Sequence, residues 1–190
     1  MNIGNLDIKI RPNSWDKNIV EAIIKNNEYP VEVSPGDKVI DLGGHIGSFS
    51  LLCASKGASV TVYEPHPENY KLLLENIKRN GFENKIKAIN KAICEGDAKI
   101  STSKNNMGSC KLSKEGIDVK GIIPELDCEI IKIDCEGCEY NINIPVVKQL
   151  FMELHPGDQN RILMFIRRNY KDVKIMSSNA KNCKIIWARN

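Results

Sequence analysis

The stretch "VIDLGGHIGSFSLL", residues 39–52, ends an apolar run in Asp41 and then sets Gly43, Gly44 and Gly47 around His45. An apolar periodic segment follows, so the pattern reads as strand, tight turn and helix, with the turn placed for a ligand. A phosphate loop needs G-x-x-x-x-G-K-[ST], and no such lysine follows. The dinucleotide fingerprint G-x-G-x-x-G fits only in its second half, Gly44 to Gly47, because Leu42 stands where its first glycine belongs. The carboxylate of Asp41 would also repel a pyrophosphate. "VTVYEP" puts Glu64 and Pro65 at the end of the next strand, where a carboxylate can accept two hydrogen bonds from ribose hydroxyls. His45 tolerates the positive φ that such turns demand; contact with a ligand or substrate is its other reading.

The spacing D-x-G-x-x-x-G (Asp41, Gly43, Gly47) resembles the first motif of the S-adenosylmethionine-dependent methyltransferases. Taken in order, "IDLGGHIGSFSL", "YEPHPENYKLLLENIKRNG" and "KIDCEGCE" resemble the FkbM family over about residues 38–155. The resemblance implies a class I, Rossmann-like methyltransferase fold with S-adenosylmethionine as cofactor. It implies a donor site at Asp41, Gly43, Gly44, His45, Gly47, Glu64 and Pro65, with the adenine near Asn90, Lys91 and Ala92. It also implies O-methylation of a hydroxyl on a small molecule or glycan. Two departures stand out: Lys91 occupies a place where many such enzymes carry an acid, and "YNINIPVVKQ" makes a poor helix where the family has a full one.

In that fold the end of the fourth strand faces the transferable methyl. Asp134, Glu136 and Glu139 lie there, and a hydroxyl acceptor needs its proton taken. Asp134 is the first candidate base and Glu136 the next. The carboxylates could instead hold a divalent cation, or Glu136 or Glu139 could cap a turn at Gly137. "ELHP" adds Glu153 and His155 on one strand face, with His155 a competing base. Cys135 and Cys138 form C-x-x-C, but no second pair at zinc spacing accompanies them. They read as small buried thiols with no disulfide, and no metal ligands are assigned. Two other functions share these features. One is an RNA methyltransferase, disfavoured because "DCEG" stands where such enzymes carry an Asn-Pro-Pro-Tyr-like stretch. The other is a silent donor-binding module.

Short apolar strands alternating with amphipathic helices, such as "HPENYKLLLENIKRNG", must position these groups. They predict an α/β fold with a seven-stranded, mostly parallel sheet. "DVKIMSS" and "CKIIWARN" supply an antiparallel pair at one edge. Residues 95–120 read as a polar hairpin or loop. The chain of 190 residues fits one domain: a Rossmann-like core over 38–190, and a cap over 1–37 anchored by Trp15 and Tyr29. A net charge of +3 is too mild to argue for nucleic acid, which is possible but not favoured as a partner. The polar N-terminus, the odd number of cysteines (seven) and the lack of a long apolar run point to a reduced, cytoplasmic protein with no membrane partner. Oligomeric state is not legible.

Overall fold

The computed structural model describes residues 1–103, 106–178 and 182–190. The N-terminal segment holds a small hairpin, β1 (Asn2–Ile3) and β2 (Leu6–Asp7), then α1 (Asp16–Val20), which continues in π-type turns over Glu21–Lys25. The first half of the core is β3 (Lys38–Leu42), α2 (Ser48–Ser55), β4 (Ser59–Tyr63), α3 (Pro67–Arg79) and β5 (Ile86–Ile89). Four strands follow: β6 (Ala92–Ile93), β7 (Asp97–Ser103), β8 (Asn106–Ser113) and β9 (Ile117–Ile122). The second half is β10 (Ile130–Ile133), a 3-10 turn at Cys138–Tyr140, β11 (Gln149–Leu154), α4 (Gln159–Asn169), β12 (Asp172–Ser177) and β13 (Lys184–Arg189).

The main sheet runs β12-β13-β11-β10-β3-β4-β5, with β13 antiparallel to both its neighbours and the remaining pairs parallel. This is the class I methyltransferase arrangement expected from the alternating elements. The central strands β10 and β3 are buried on both faces, which is why they read as continuous apolar runs. One face carries a core around Tyr29, Phe49 and Phe151, whose rings meet edge to face at 5.9–6.0 Å. The other packs Leu150, Met152, Ile162 and Ile166 under α4. The polar loop between β12 and β13 includes residues 179–181, which lie outside the described ones.

α3 begins with His66, whose ring nitrogen accepts the Glu68 amide at 3.2 Å, followed by Pro67 in the first turn. Its buried face is rotated from the apolar spacing. Leu74 is exposed, while Asn69 and Asn76 are buried. Asn76 clamps other backbone: it accepts from the Lys9 amide at 2.7 Å and donates to the Ile46 carbonyl at 2.9 Å. A polar residue satisfied this way is cheap to bury, and hydropathy alone does not anticipate it.

Two expectations change. Residues 95–120 form more than a hairpin. β7, β8 and β9 join β6 in a second, four-stranded sheet, held inward by buried Ile100. Trp15 does not anchor the N-terminal segment, since it is 56% exposed. Tyr29 is buried, and among the further ties Arg11 bonds Asp16 through two nitrogens and Asn69 through a third.

Candidate active site

A cavity of about 340 Å³ opens at the C-terminal ends of β3, β4, β10 and β11, where ligands bind in such sheets. The N-terminal segment covers one side of it, through Ile19, Ile23 and Tyr29. The second sheet covers another, through Ile100 and Leu112.

The glycine turn builds the floor. Gly43 adopts φ +86°, and a side chain there would drive a Cβ to 1.8 Å from the Asp134 carbonyl oxygen. Its backbone can therefore lie against both β10 and a ligand. The amides of Gly43 and Gly44 both donate to the Tyr63 carbonyl at 3.0 Å, and the His45 amide donates to Glu64 at 2.7 Å. Few free amides remain to cradle a phosphate, which agrees with rejecting the phosphate-loop reading. His45 takes the positive φ expected of it (50°) and also lines the cavity. Gly44 and Gly47 do not line it; the space a side chain would need is filled by Val62 and Leu73.

Asp41 is corrected outright. It is fully buried and does not reach the cavity. Lys132, directly beside it in the β3–β10 register, sends its ammonium to Asp41 Oδ1 at 3.1 Å and to the Gly43 carbonyl at 2.9 Å, while Ser50 donates to Asp41 Oδ2 at 2.7 Å. Burial by itself would lower the pKa of Lys132. Asp41 and Asp134 outweigh that and hold it above its ordinary value. The cation that Asp41 faces is thus a lysine of this chain. Sequence reading missed Lys132, though a lysine inside the apolar run "EIIKID" is the signal of a buried ion pair.

Glu64 lines the cavity. One oxygen accepts from the His66 amide at 2.9 Å and from Asn69 at 3.2 Å; the other accepts from the His45 amide. Of about four lone-pair positions on a carboxylate, roughly one stays open, so Glu64 can hold one ribose hydroxyl rather than two. Burial pushes its pKa up to about 7 against those bonds. Pro65 and Ala92 line the cavity, but Asn90 and Lys91 do not. Asn90 instead donates to the Glu64 and Pro65 carbonyls at 2.8 and 3.0 Å, fixing the backbone of that edge. On that side the cavity is lined by Ala92, Ile93, Ile100 and Leu112.

Asp134 and Glu136 also line the cavity, together with Glu153 and Glu28. Asp134 receives the Tyr29 hydroxyl at 3.5 Å and lies 3.6 Å from the Lys132 ammonium. Glu139 is the turn former that the sequence allowed: it accepts the Gly137 amide at 3.0 Å, and its other oxygen takes the His155 amide at 2.8 Å. His155 is corrected as a base. It does not line the cavity; Nδ1 lies 3.1 Å from Glu139 and Nε2 3.4 Å from Glu136. Burial opposes its charge, but the carboxylates of Glu139, Asp134 and Glu136 raise its pKa to about 9, so near neutrality it is a cation. Asp134, Glu153 and His155 come within 4.8 Å of one another, the spacing of a metal cluster. With His155 charged and Lys132 adjoining, the site already carries its counter-cations.

Cys135 and Cys138 are corrected too. They are joined in a disulfide across the Gly137 turn, with both residues on the cavity wall. A sequence separation of three around a left-handed glycine brings the two thiols together, which burial of small side chains did not anticipate. Their sulfurs are thereby unavailable as metal ligands.

A family model, the TRM5/TYW2 methyltransferase domain, matches residues 19–121, which carry the glycine turn, Glu64 and most of the second sheet. The chain belongs to the TRM5/TYW2 methyltransferase domain family. The FkbM resemblance is thereby overturned. It leaned on "KIDCEGCE", which lies outside the matched residues and serves as an ion-paired turn around Lys132 and Glu139. The expectation of a small-molecule or glycan acceptor, with nucleic acid disfavoured, falls with it.

Over 57 residues the chain is 42% identical to the tRNA (guanine(37)-N(1))-methyltransferase of Candida albicans (strain WO-1), covering 30% of this chain and 13% of that enzyme. It therefore spans well under two thirds of such relatives. Among solved structures it is similar to the precorrin-6y C5,15-methyltransferase of Geobacter metallireducens, with TM-score 0.55 and 10% identity over 96% of this chain and 98% of that one. It is also similar to M. capricolum TrmK in complex with S-adenosyl-homocysteine, with TM-score 0.52 and 13% identity over 86% and 66%. These likenesses confirm the fold. S-adenosylmethionine is the cofactor of this TRM5/TYW2-type domain, and the cavity fits it: a bare Gly43 backbone, one open position on Glu64, and carboxylates around the place of a sulfonium. Among the described residues no helix is long and apolar enough to cross a membrane.

Proposed function

We propose that this chain transfers a methyl group to a base nitrogen of tRNA, with N1 of guanine the first candidate. Family membership and the 57-residue identity to a tRNA (guanine(37)-N(1))-methyltransferase support the reading. The observation that carries it to this site is the cavity's chemistry. Five carboxylates line it (Glu28, Glu64, Asp134, Glu136 and Glu153), and among the described lining residues there is no Lys or Arg. Such a wall offers hydrogen-bond acceptors and no lysine or arginine to pair with an acceptor that brings its own phosphate or carboxylate into the cavity. It suits a flat group that offers N–H donors, as the Watson–Crick edge of guanine does through N1–H and the exocyclic amine.

When bound, S-adenosylmethionine supplies an electrophilic methyl on a sulfonium. Glu64 would hold a ribose hydroxyl, and Gly43 would let the backbone approach. Ala92, Ile93 and Ile100 would enclose the base of the donor and exclude water. Asp134, at the end of β10, accepts the hydrogen bond from the acceptor N–H and then its proton. Lys132 fixes Asp134 and the Gly43 carbonyl relative to each other, so that base and donor floor keep their spacing.

The test is transfer of radiolabel from methyl-labelled donor to unmodified tRNA transcripts with guanosine or adenosine at position 37. Label on the guanosine transcript alone is expected. Tight binding of S-adenosyl-homocysteine with no label on either transcript would overturn the proposal.

A further inference from the structure

The mechanism above leaves three carboxyls of the cavity unused, Glu28, Glu136 and Glu153, and half-buried Glu153 is the one set beside Asp134 by the sheet. Glu153 is the fifth residue of β11, and the β10–β11 register pairs Ile133 with Met152. The next positions, Asp134 and Glu153, are therefore cross-strand neighbours whose side chains leave the same face of the sheet. Both line the cavity, and their carboxyl oxygens come within 4.8 Å of one another. Two carboxyl groups so close hold a proton between them rather than two full charges. Their surroundings are unequal. Lys132 lies 3.6 Å from Asp134, whereas Glu153 receives the Ser178 hydroxyl at 2.5 Å. The ammonium draws negative charge to Asp134, and the shared proton rests on Glu153.

We propose that Asp134 and Glu153 act as one proton-sharing pair, in which Glu153 is the positioning residue that governs how readily Asp134 takes the acceptor's proton. The assignment of the acceptor rests on the proposed function; the pairing does not. While Glu153 carries the proton, it donates to Asp134 and occupies the lone pair that the acceptor N–H needs. Once that proton has left to water, the lone pair is open to the acceptor. In the transfer step the acceptor nitrogen forms its bond to the methyl carbon as the carbon–sulfur bond breaks, with that electron pair staying on sulfur. The N–H proton passes to Asp134, is shared with Glu153, and leaves to solvent after the product.

Burial, the Asp134 charge and the Asp134 hydrogen bond bring the Glu153 pKa up to about 7, against the Ser178 bond and the His155 charge. Other groups facing the pair are Lys132 on β10, Glu28 and Tyr29 from the N-terminal segment, and Cys183 before β13. His155 keeps its charge until about pH 9, so the change near neutrality belongs to the carboxyl pair.

Two measurements on the full chain test this. The first needs no acceptor: NMR titration of ¹³C-labelled carboxyl groups in protein saturated with S-adenosyl-homocysteine. Glu153 should titrate near neutrality in the wild type and move down by about one pH unit or more in Asp134→Asn, as expected of coupled sites. A Glu153 titration unmoved by Asp134→Asn would overturn the pair. The second is the single-turnover rate on the tRNA transcript across about pH 5.5 to 8.5. The wild-type rate should rise roughly tenfold through neutrality, within the usual reach of general-base catalysis. Glu153→Gln should stay near the wild-type low-pH rate, and Glu153→Asp should recover part of the rise. A Glu153→Gln profile parallel to the wild type would overturn the proposal, because a merely structural role leaves the profile shape alone. Coupled titration without any transfer to tRNA would support the pair and count against the acceptor assignment alone.

Discussion

Replacing Lys132 with methionine removes one charge and keeps the stem. In the folded protein its ammonium satisfies Asp41 at 3.1 Å and the Gly43 carbonyl at 2.9 Å, and it faces Asp134 at 3.6 Å. Asp41 is fully buried and, among the described residues, would be left with the Ser50 hydroxyl. Breaking a buried pair from one side costs about 3–5 kcal/mol, because the other charge stays desolvated. With a urea m-value of about 2 kcal/mol/M, the unfolding midpoint of Lys132→Met should fall by roughly 1.5–2.5 M. Adding Asp41→Asn removes the stranded charge and should return about 2 kcal/mol of that loss, the size of coupling expected for groups in direct contact. A Lys132→Met midpoint within about 0.5 M of wild type, or additive effects in the double variant, would refute the claim that this pair is a buried structural unit.

Glu64→Gln keeps the shape of the donor edge but turns one accepting oxygen into a donor; S-adenosyl-homocysteine affinity by calorimetry should drop about tenfold, the worth of one hydrogen bond. An unchanged affinity would remove Glu64 from the donor site. His155 is raised from 6.5 to about 9 in the folded state, so its stabilisation is complete below pH 6.5 and is lost as pH rises through 9. Glu64 and Glu153, raised from 4.5 to about 7, act in the same direction over a lower range, so the melting temperature should fall from mildly acid to alkaline pH. In His155→Gln the part of that fall above neutrality should flatten, and an unaltered slope would contradict the assignment. Thiol titration of unreduced, denatured protein should find five thiols, since two of the seven cysteines are bonded to each other. Seven would contradict the Cys135–Cys138 disulfide.

Much of the fold was legible because strands buried on both faces and capped amphipathic helices leave strong periodic signals. The sheet, the capping of α3 and the turn at His45 follow from residues read locally. What was not legible depends on partners distant in sequence. Asp41 looked like a ligand contact because nothing near it in sequence shows that Lys132 lies beside it. Asn90 and His155 were assigned by position at strand ends, yet each is turned away by a specific bond, to the Glu64 carbonyl and to Glu139. The second sheet was obscured by its polar composition: its exposed faces carry ion pairs such as Lys99 with Asp118, and among the described residues of its longer strands only Ile100 is fully buried. The family resemblance went astray for a related reason, since a turn built on Lys132, Gly137 and Glu139 serves architecture and does not specify an acceptor.

The most direct measurement is the identity of the methylated nucleoside. tRNA transcript incubated with the protein and S-adenosylmethionine is digested to nucleosides and separated by mass-resolved chromatography. The carboxylate-lined cavity predicts methyl on a base nitrogen, as 1-methylguanosine, and its loss in Asp134→Asn with S-adenosyl-homocysteine binding retained. Methyl on a ribose hydroxyl, or 1-methylguanosine formed equally well by Asp134→Asn, would contradict the account.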